Sequence, residues 1–293
     1  METDLHKITL DDKMAADNIL KNSDRRFCEY TFGNMYCWGV SAGLELCISD
    51  GTLIFGYPKT ERFYMPVAND TEKTAAAVNK LIGNYKRLTI MSISAQDKSL
   101  LEQKFNGVFE FSEDTRYFDY IYESEKLRSL SGKKLSAKRN HINAFLSDGE
   151  WRIEKITQDN KEQLFTFNRQ WCRDLCGHMS GSLRNEMCAV ELGIKNFDTL
   201  GFCGIMLYKD DTLVAYSYGE PINGDTFCVH VEKADADVRG AYQMINREFA
   251  RKFCTDFEYI NREDDAGDEG LRRAKQSYYP TDKGLKFKAV VKE

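Results

Sequence analysis

One order of elements runs through this chain twice, which commits it to two copies of one α/β plan joined in tandem. In the second half, Gly204–Lys209 alternates apolar and polar residues, Asp210-Asp211 turns, and Leu213–Gly219 alternates again. Asn223-Gly224 then supplies a hairpin turn, since both residues tolerate positive φ, and Thr226–Lys233 returns as a third strand. A helix over Val238–Phe253 follows, then a strand at Phe257–Asn261, a helix at Gly270–Ser277 and a strand at Lys286–Val291. The first half reads the same way. Strands at Leu44–Ser49, Thr52–Tyr57 and Arg62–Val67 precede a helix at Thr71–Tyr85, a strand at Arg87–Ser94, a helix at Gln96–Phe105 and a strand at Tyr117–Tyr122.

A local echo supports the duplication. Lys7–Lys13 matches Lys155–Lys161 at five of seven positions, and each copy precedes an amphipathic helix, Met14–Lys21 or Gln163–Leu175. The expected division is residues 1–125, a basic connecting helix over 126–148, and residues 149–293. A chain of 293 residues has room for two ordinary domains.

Charge narrows the function. The net charge of −5 argues against broad, non-specific binding to nucleic acid or anionic membranes. The connecting segment is the exception: from Lys126 to Ser147 there is no acidic residue, against six cations, Lys126, Arg128, Lys133, Lys134, Lys138 and Arg139. Cations so close together repel unless an anion joins them, so the segment is expected to hold phosphate from a cofactor, a nucleic-acid backbone or an acidic partner. The plainer reading is a solvated linker helix that neutralises nearby carboxylates.

The polar N-terminus is no secretory signal, and no apolar run approaches the ~20 residues that cross a bilayer, so the chain reads as cytoplasmic. Nine cysteines show no C-x-x-C pair. Cys172, Cys176, His178 and Cys188 lie near one another in sequence without the tight paired spacing of zinc sites, so the cysteines read as small buried hydrophobes and no metal is expected.

Three stretches offer chemistry. In Thr226–Lys233, strict alternation places Cys228, His230 and Glu232 on one face, about 7 Å between alternate residues, which makes His230 and Glu232 candidate general bases or satisfied core groups. After that strand, Val238-Arg239-Gly240-Ala241 opens a helix whose free N–H groups can hold a pyrophosphate, with Asp235 and Asp237 as caps in the alternative. From Tyr259 to Pro280, charges of both signs interleave between aromatic ends. Arg272, Lys275 and Tyr279 fall on one helical face there, and Leu271 and Tyr278 line another.

The segments SGKKLSAKRNHINAF (Ser131–Phe145), VHVEKAD (Val229–Asp235), GAYQMIN (Gly240–Asn246) and YINREDDAGDEGLRRAKQSYYP (Tyr259–Pro280) resemble the C-terminal domain of bacterial phosphatidylglycerol lysyltransferases. That family is similar in turn to the Fem-type aminoacyl-tRNA transferases, and the element order resembles the GNAT acyltransferase fold present twice. The resemblance implies an α/β (α+β) chain of two tandem GNAT-like domains, each a mixed, mainly antiparallel sheet flanked by helices. It implies transfer of an acyl group from a coenzyme A thioester or an aminoacyl-tRNA to an amine or hydroxyl acceptor. On that reading the expected catalytic residues are Glu232 or His230 as base and Tyr278 beside the leaving group. The donor is expected to be held by Val238, Arg239, Gly240, Ala241, Lys133, Lys134, Lys138, Arg139, Asn261, Arg262, Arg272 and Lys275. The usual GNAT turn has Arg or Gln three residues before its first Gly, where this chain has Asp237, and a small residue two after it, where this chain has Tyr242. That departure favours the alternative, a non-catalytic GNAT-like module that binds an acyl-CoA, a nucleotide or tRNA.

Overall fold

A computed structural model describes residues 4–113, 115–175 and 181–292. The first half builds β1 (His6–Lys7), α1 (Lys13–Leu20), α2 (Phe32–Ala42), β2 (Glu45–Ser49), β3 (Thr52–Tyr57), β4 (Arg62–Tyr64), β5 (Val67–Ala68), α3 (Thr71–Asn84), β6 (Thr89–Ile93), α4 (Ala95–Lys104), β7 (Phe109–Glu113) and β8 (Asp119–Glu123). The join carries α5 (Ser124–Ser129) and α6 (Ser136–Leu146). The second half adds β9 (Trp151–Lys155), α7 (Glu162–Leu175), α8 (Gly181–Lys195), α9 (Phe197–Leu200), β10 (Cys203–Lys209), β11 (Thr212–Pro221), β12 (Thr226–Ala234), α10 (Ala241–Phe253), β13 (Tyr259–Asn261), α11 (Glu269–Gln276), β14 (Asp282–Gly284) and β15 (Phe287–Val291).

The seven-residue echo has a structural meaning, because both copies make the same local hydrogen bonds. The Ile8 amide donates to the Leu44 carbonyl at 3.2 Å, and the Ile156 amide to Gly204 at 3.0 Å. The Thr9 amide donates to Asp12 at 2.8 Å, and the Thr157 amide to Asn160 at 2.8 Å. Each copy thus turns the chain from an edge strand into a helix. The tight turns also correspond: Asp50 and Gly51 join β2 to β3, and Asp210 and Asp211 join β10 to β11, all four at positive φ as twisted hairpins require.

Two mixed, mainly antiparallel sheets flanked by helices result. The first has the order β1-β2-β3-β4-β6-β15-β7, with β5 paired to β3, and the second β14-β8-β13-β12-β11-β10-β9. Each sheet contains one parallel pair, β4 with β6 and β12 with β13. The halves exchange their last strands: β8 lies between β13 and β14, and β15 between β6 and β7. A division at residues 1–125 and 149–293 therefore follows the chain but not the sheets.

The connecting segment forms two helices rather than one. Leu130 and Gly132 take positive φ between α5 and α6, and the Arg139 guanidinium donates to their carbonyls at 2.5 and 2.7 Å. Hydrophobic packing divides mainly between two clusters, with Cys28, Ile222 and Cys228 forming a small third. One runs from the first sheet through α2 to Tyr216 and Tyr218, and the other packs α6 and α10 on the second sheet. Among the described residues, no helix is long and apolar enough to cross a membrane.

Candidate functional site

The alternation expected along β12 is broken by a bulge. Tyr218 of β11 opposes Val231, while the next residue, Gly219, opposes Val229, so His230 is the extra residue. Glu232 consequently points with Phe227 and Val229 toward α10, where it accepts from Asn246 Nδ2 at 2.8 Å. His230 points the other way, toward Thr31 at the start of α2. The expectation that Cys228, His230 and Glu232 share one face is thus corrected: the two candidate bases serve different sites.

On the α10 side, the basic join and the charged tail do converge. Arg262 donates to Glu232 Oε1 at 2.7 Å and lies over the Tyr278 ring at 4.9 Å. Lys138 of α6 lies over the same ring at 4.2 Å, and Lys134 over Tyr279 at 5.3 Å. Burial, with Arg262 adding repulsion, lowers the Lys138 pKa from its ordinary value. Burial also raises the Tyr278 phenol, so it stays a proton donor. Arg262 Nη1 and Asn246 Oδ1 are buried beside Glu232 without a protein partner.

Other expected donor-holding residues are already engaged. Arg272 makes a two-pronged ion pair with Asp265, Nε–Oδ2 2.8 Å and Nη2–Oδ1 3.0 Å, which brings Asp265 down to about 2. Lys275 is buried and donates to the carbonyls of Arg262, at 2.6 Å, and Asp264. Asn261 is fully buried and donates to the Arg26 carbonyl and Asp119. Lys133 and Lys134 remain exposed in the turn before α6. In the turn opening α10, Val238 and Ala241 donate their amides to the carbonyls of Asp235 and Val238. The His141 carbonyl of α6 packs against Gly240 so closely that a β-carbon there would meet it at 2.2 Å. Side chains of Cys172, Cys176 and His178 lie outside the described residues.

His230 sits at the seam between the halves. Its Nδ1 meets Glu263 Oε1 at 2.8 Å, and its Nε2 meets Glu220 Oε1 at 3.0 Å. Glu220 also accepts from the Gly33 amide of α2 at 2.8 Å, and Asn34 donates to Glu263 at 3.3 Å. Burial alone would lower the imidazole pKa, but Cys228 and the two carboxylates outweigh it and hold it well above its usual value. Asn261 links the seam onward, since its Oδ1 accepts from the Glu263 amide at 2.6 Å and its Nδ2 reaches Asp119 at 2.7 Å.

Asp119 opens a second polar cluster that sequence reading missed. Lys286 Nζ, buried, donates to Asp119 Oδ1 at 2.7 Å and Glu29 Oε1 at 2.9 Å. Burial opposes its charge, yet Asp119, Cys28 and Glu29 hold the ammonium well above its usual pKa. Ser92, held at positive φ by a bulge in β6, donates to Glu29 Oε1 at 2.8 Å. Glu29, Ser92 and Lys286 of this cluster line a pocket of about 570 Å³ beside the parallel pair β4 and β6. Tyr57, Tyr64, Tyr117 and Phe287 give it aromatic walls. Lys7, Lys59, Arg62, Lys286 and Lys288 face it against only Glu29 and Glu45, a balance that suits an anion. The one trace in the sequence is a lysine opening the apolar last strand. Glu29 and Ser92 carry no local signal, because the strand exchange brings them to Lys286.

This geometry has relatives. Residues 20–290 match the family described as phosphatidylglycerol lysyltransferase, C-terminal. A conserved protein of unknown function from Bacteroides thetaiotaomicron VPI-5482 has a crystal structure with a TM-score of 0.92 and 36% identity, covering 99% of this chain and 100% of that one. The C-terminal domain of a putative lysylphosphatidylglycerol synthetase from Agrobacterium fabrum shares the fold at a TM-score of 0.67 and 14% identity, covering 97% of this chain and 92% of that one. An uncharacterized protein of Mycoplasmoides gallisepticum is 29% identical over 165 residues, 55% of this chain, and the match spans about half of that protein, 52%. With its family matched from α1 to the last strand, the chain belongs to the family of the phosphatidylglycerol lysyltransferase C-terminal domain.

Proposed function

We propose that the chain is an aminoacyltransferase that takes its acyl group from an aminoacyl-tRNA ester and passes it to an amine or hydroxyl. The pocket over Glu29 and Lys286 carries the reading. Its cationic rim suits the phosphates of a tRNA 3′ end, its tyrosines suit the terminal adenine, and its floor suits the ester. There the incoming nucleophile forms a bond to the ester carbon while its proton passes to the Glu29 carboxylate. The Lys286 ammonium faces the oxyanion, and as the ester C–O bond breaks Glu29 returns that proton to the leaving ribose oxygen.

A coenzyme A thioester fits less well, because in each half the helix N-terminus that a pyrophosphate would approach is partly taken or crowded. At α3 the Asp70 carboxylate already accepts from the Glu72 amide at 2.7 Å. At α10 the Val238 and Ala241 amides are engaged and α6 lies against Gly240. Glu232, Arg262, Tyr278 and Lys138 face away from this pocket and are proposed as a separate polar binding site, with Arg262 Nη1 and Asn246 Oδ1 as its unmet partners.

The test follows loss of the acyl group from radiolabelled aminoacyl-tRNA and from acyl-CoA, with a panel of amines and alcohols as acceptors. Expected is consumption of aminoacyl-tRNA above spontaneous hydrolysis, reduced at least about 100-fold in Glu29→Gln. Consumption of acyl-CoA alone would overturn the donor assignment. Binding of either donor without turnover, read by a thermal shift, would favour a non-catalytic module.

A further inference from the structure

Two clusters at the seam between the halves each set a buried cysteine beside a carboxylate. The first is Cys28, Glu29 and Asp119, and the second is Cys228, His230 and Glu263. They differ in where the positive charge comes from. In the first, the Lys286 ammonium stands within 2.9 Å of both carboxylates and 3.9 Å of Cys28 Sγ, so a built-in cation fills the centre. In the second, no lysine or arginine hydrogen-bonds to Cys228, His230 or Glu263 among the described residues, and one imidazole ring faces two carboxylates.

We propose that Cys228 Sγ, His230 Nδ1 and Glu263 Oε1 bind a divalent transition metal of the zinc class. Their separations are 3.5 Å for sulfur to Nδ1, 3.9 Å for sulfur to Oε1 and 2.8 Å for Nδ1 to Oε1. Tetrahedral zinc with ordinary bond lengths sets such ligands about 3.6 Å apart where sulfur is one partner and about 3.4 Å apart for nitrogen and oxygen. A side-chain rotation of Glu263 that opens its contact with the ring by roughly half an ångström completes the set. The mixed nitrogen, sulfur and oxygen donors suit zinc and its neighbours rather than magnesium or calcium.

A second observation points the same way. Ligating histidines direct their other ring nitrogen to a carboxylate that fixes tautomer and orientation. Here Nε2 meets Glu220 Oε1 at 3.0 Å, and the Gly33 amide holds Glu220 from the opposite half at 2.8 Å. With Nε2–H donated to Glu220, Nδ1 and Cys228 give up their protons to solvent when the metal binds, and the Nδ1 lone pair then faces the ion between Cys228 and Glu263. The metal would bind on one half and be oriented from the other, which makes it a clamp across the seam. No paired spacing announces the trio, because the bulge at His230 and the loop after β13 assemble it.

Cobalt(II) is the probe. The full chain, stripped with a chelator and titrated with cobalt, is expected to take up one equivalent with a thiolate-to-cobalt charge-transfer band. Cys228→Ser removes that band and Cys28→Ser keeps it, with circular dichroism reporting that both fold. Glu220→Gln keeps the band but weakens uptake by about 10–100-fold. Absence of the band in the unaltered chain, or its persistence in Cys228→Ser, overturns the proposal. Should Cys228→Ser fail to fold, unchanged affinity in Glu220→Gln does so instead.

Discussion

Gly240 stands at φ 87° with the His141 carbonyl 2.2 Å from where a β-carbon would be, so backbone conformation and space both require glycine. Gly267 has a similar φ of 82° but open space around it. Gly267→Ala should therefore cost about 1–2 kcal/mol, the left-handed penalty alone, and Gly240→Ala about 2–4 kcal/mol, because α6 must also move. Urea unfolding of the two variants separates these terms. Lys275 is a comparable case among the polar residues. Its sequence position suggested an anion holder, yet burial lowers its pKa and its protons go to two loop carbonyls. Lys275→Met should cost about 1–3 kcal/mol through the carbonyls left unpaired, without a specific loss of tRNA binding. Charge and helical spacing were legible for Arg272 and Lys275. Their partners were not, since Asp265 and the Arg262 carbonyl reach them only through the loop fold.

Among the elements, β8 and β15 depart most from what a duplicated chain suggests. Each was visible as a strand, but nothing in its residues says which sheet it joins, because an alternating strand fits either core. The exchange makes the last strand part of the first half's core: Ala289 of β15 is fully buried there. Removing residues 286–293 should therefore expose the amides of β6 and β7, far away in sequence, to hydrogen exchange, while β10 and β11 keep most of their protection. A loss confined to the second sheet would contradict the exchanged topology. The bulge at His230 was equally hidden, since the residues of β12 alternate cleanly as a sequence. The irregularity arises from pairing with β11 at Gly219, where a β-carbon would meet the Cys228 carbonyl at 1.9 Å. Helices were read more securely. Sequence pattern found α3, α4 and α10 to within a few residues, but α2, glycine-rich at Gly33 and Gly39, was missed.

Across the whole molecule, the halves hold each other through polar groups as well as exchanged strands. Arg26 and Asp225 form a two-pronged pair, Nε–Oδ1 3.2 Å and Nη2–Oδ2 2.5 Å, with more than a third of each side chain exposed. Burial raises the Asp225 pKa, but the hydrogen bonds from Arg26 and Thr226 outweigh it and bring it below its usual value. A carboxylate lowered on folding stabilises above its unfolded pKa, about 3.9, and that stabilisation fades as pH falls through the lower folded value. A double-mutant cycle of Arg26→Ala and Asp225→Ala should give about 0.5–1 kcal/mol at neutral pH, and less in acid or at high salt. The strand exchange has a larger consequence. Residues 4–148 and 149–292 expressed apart should each lack a cooperative unfolding transition, because each sheet misses an internal strand. Mixed, they should regain one.

By itself the sequence determined the family, the duplicated α/β plan and the three-stranded runs that open each sheet. Periodicity, turn residues and local charge are properties of neighbours along the chain, so they survive without coordinates. Only the tertiary structure decided that His230 and Glu232 face apart, that β8 and β15 trade sheets, and that Glu29, Ser92 and Lys286 meet beneath one pocket. Those depend on strand pairing and on charges finding partners up to 257 residues away, as Lys286 finds Glu29. Long-range pairing is set by burial of the whole, which no local stretch encodes.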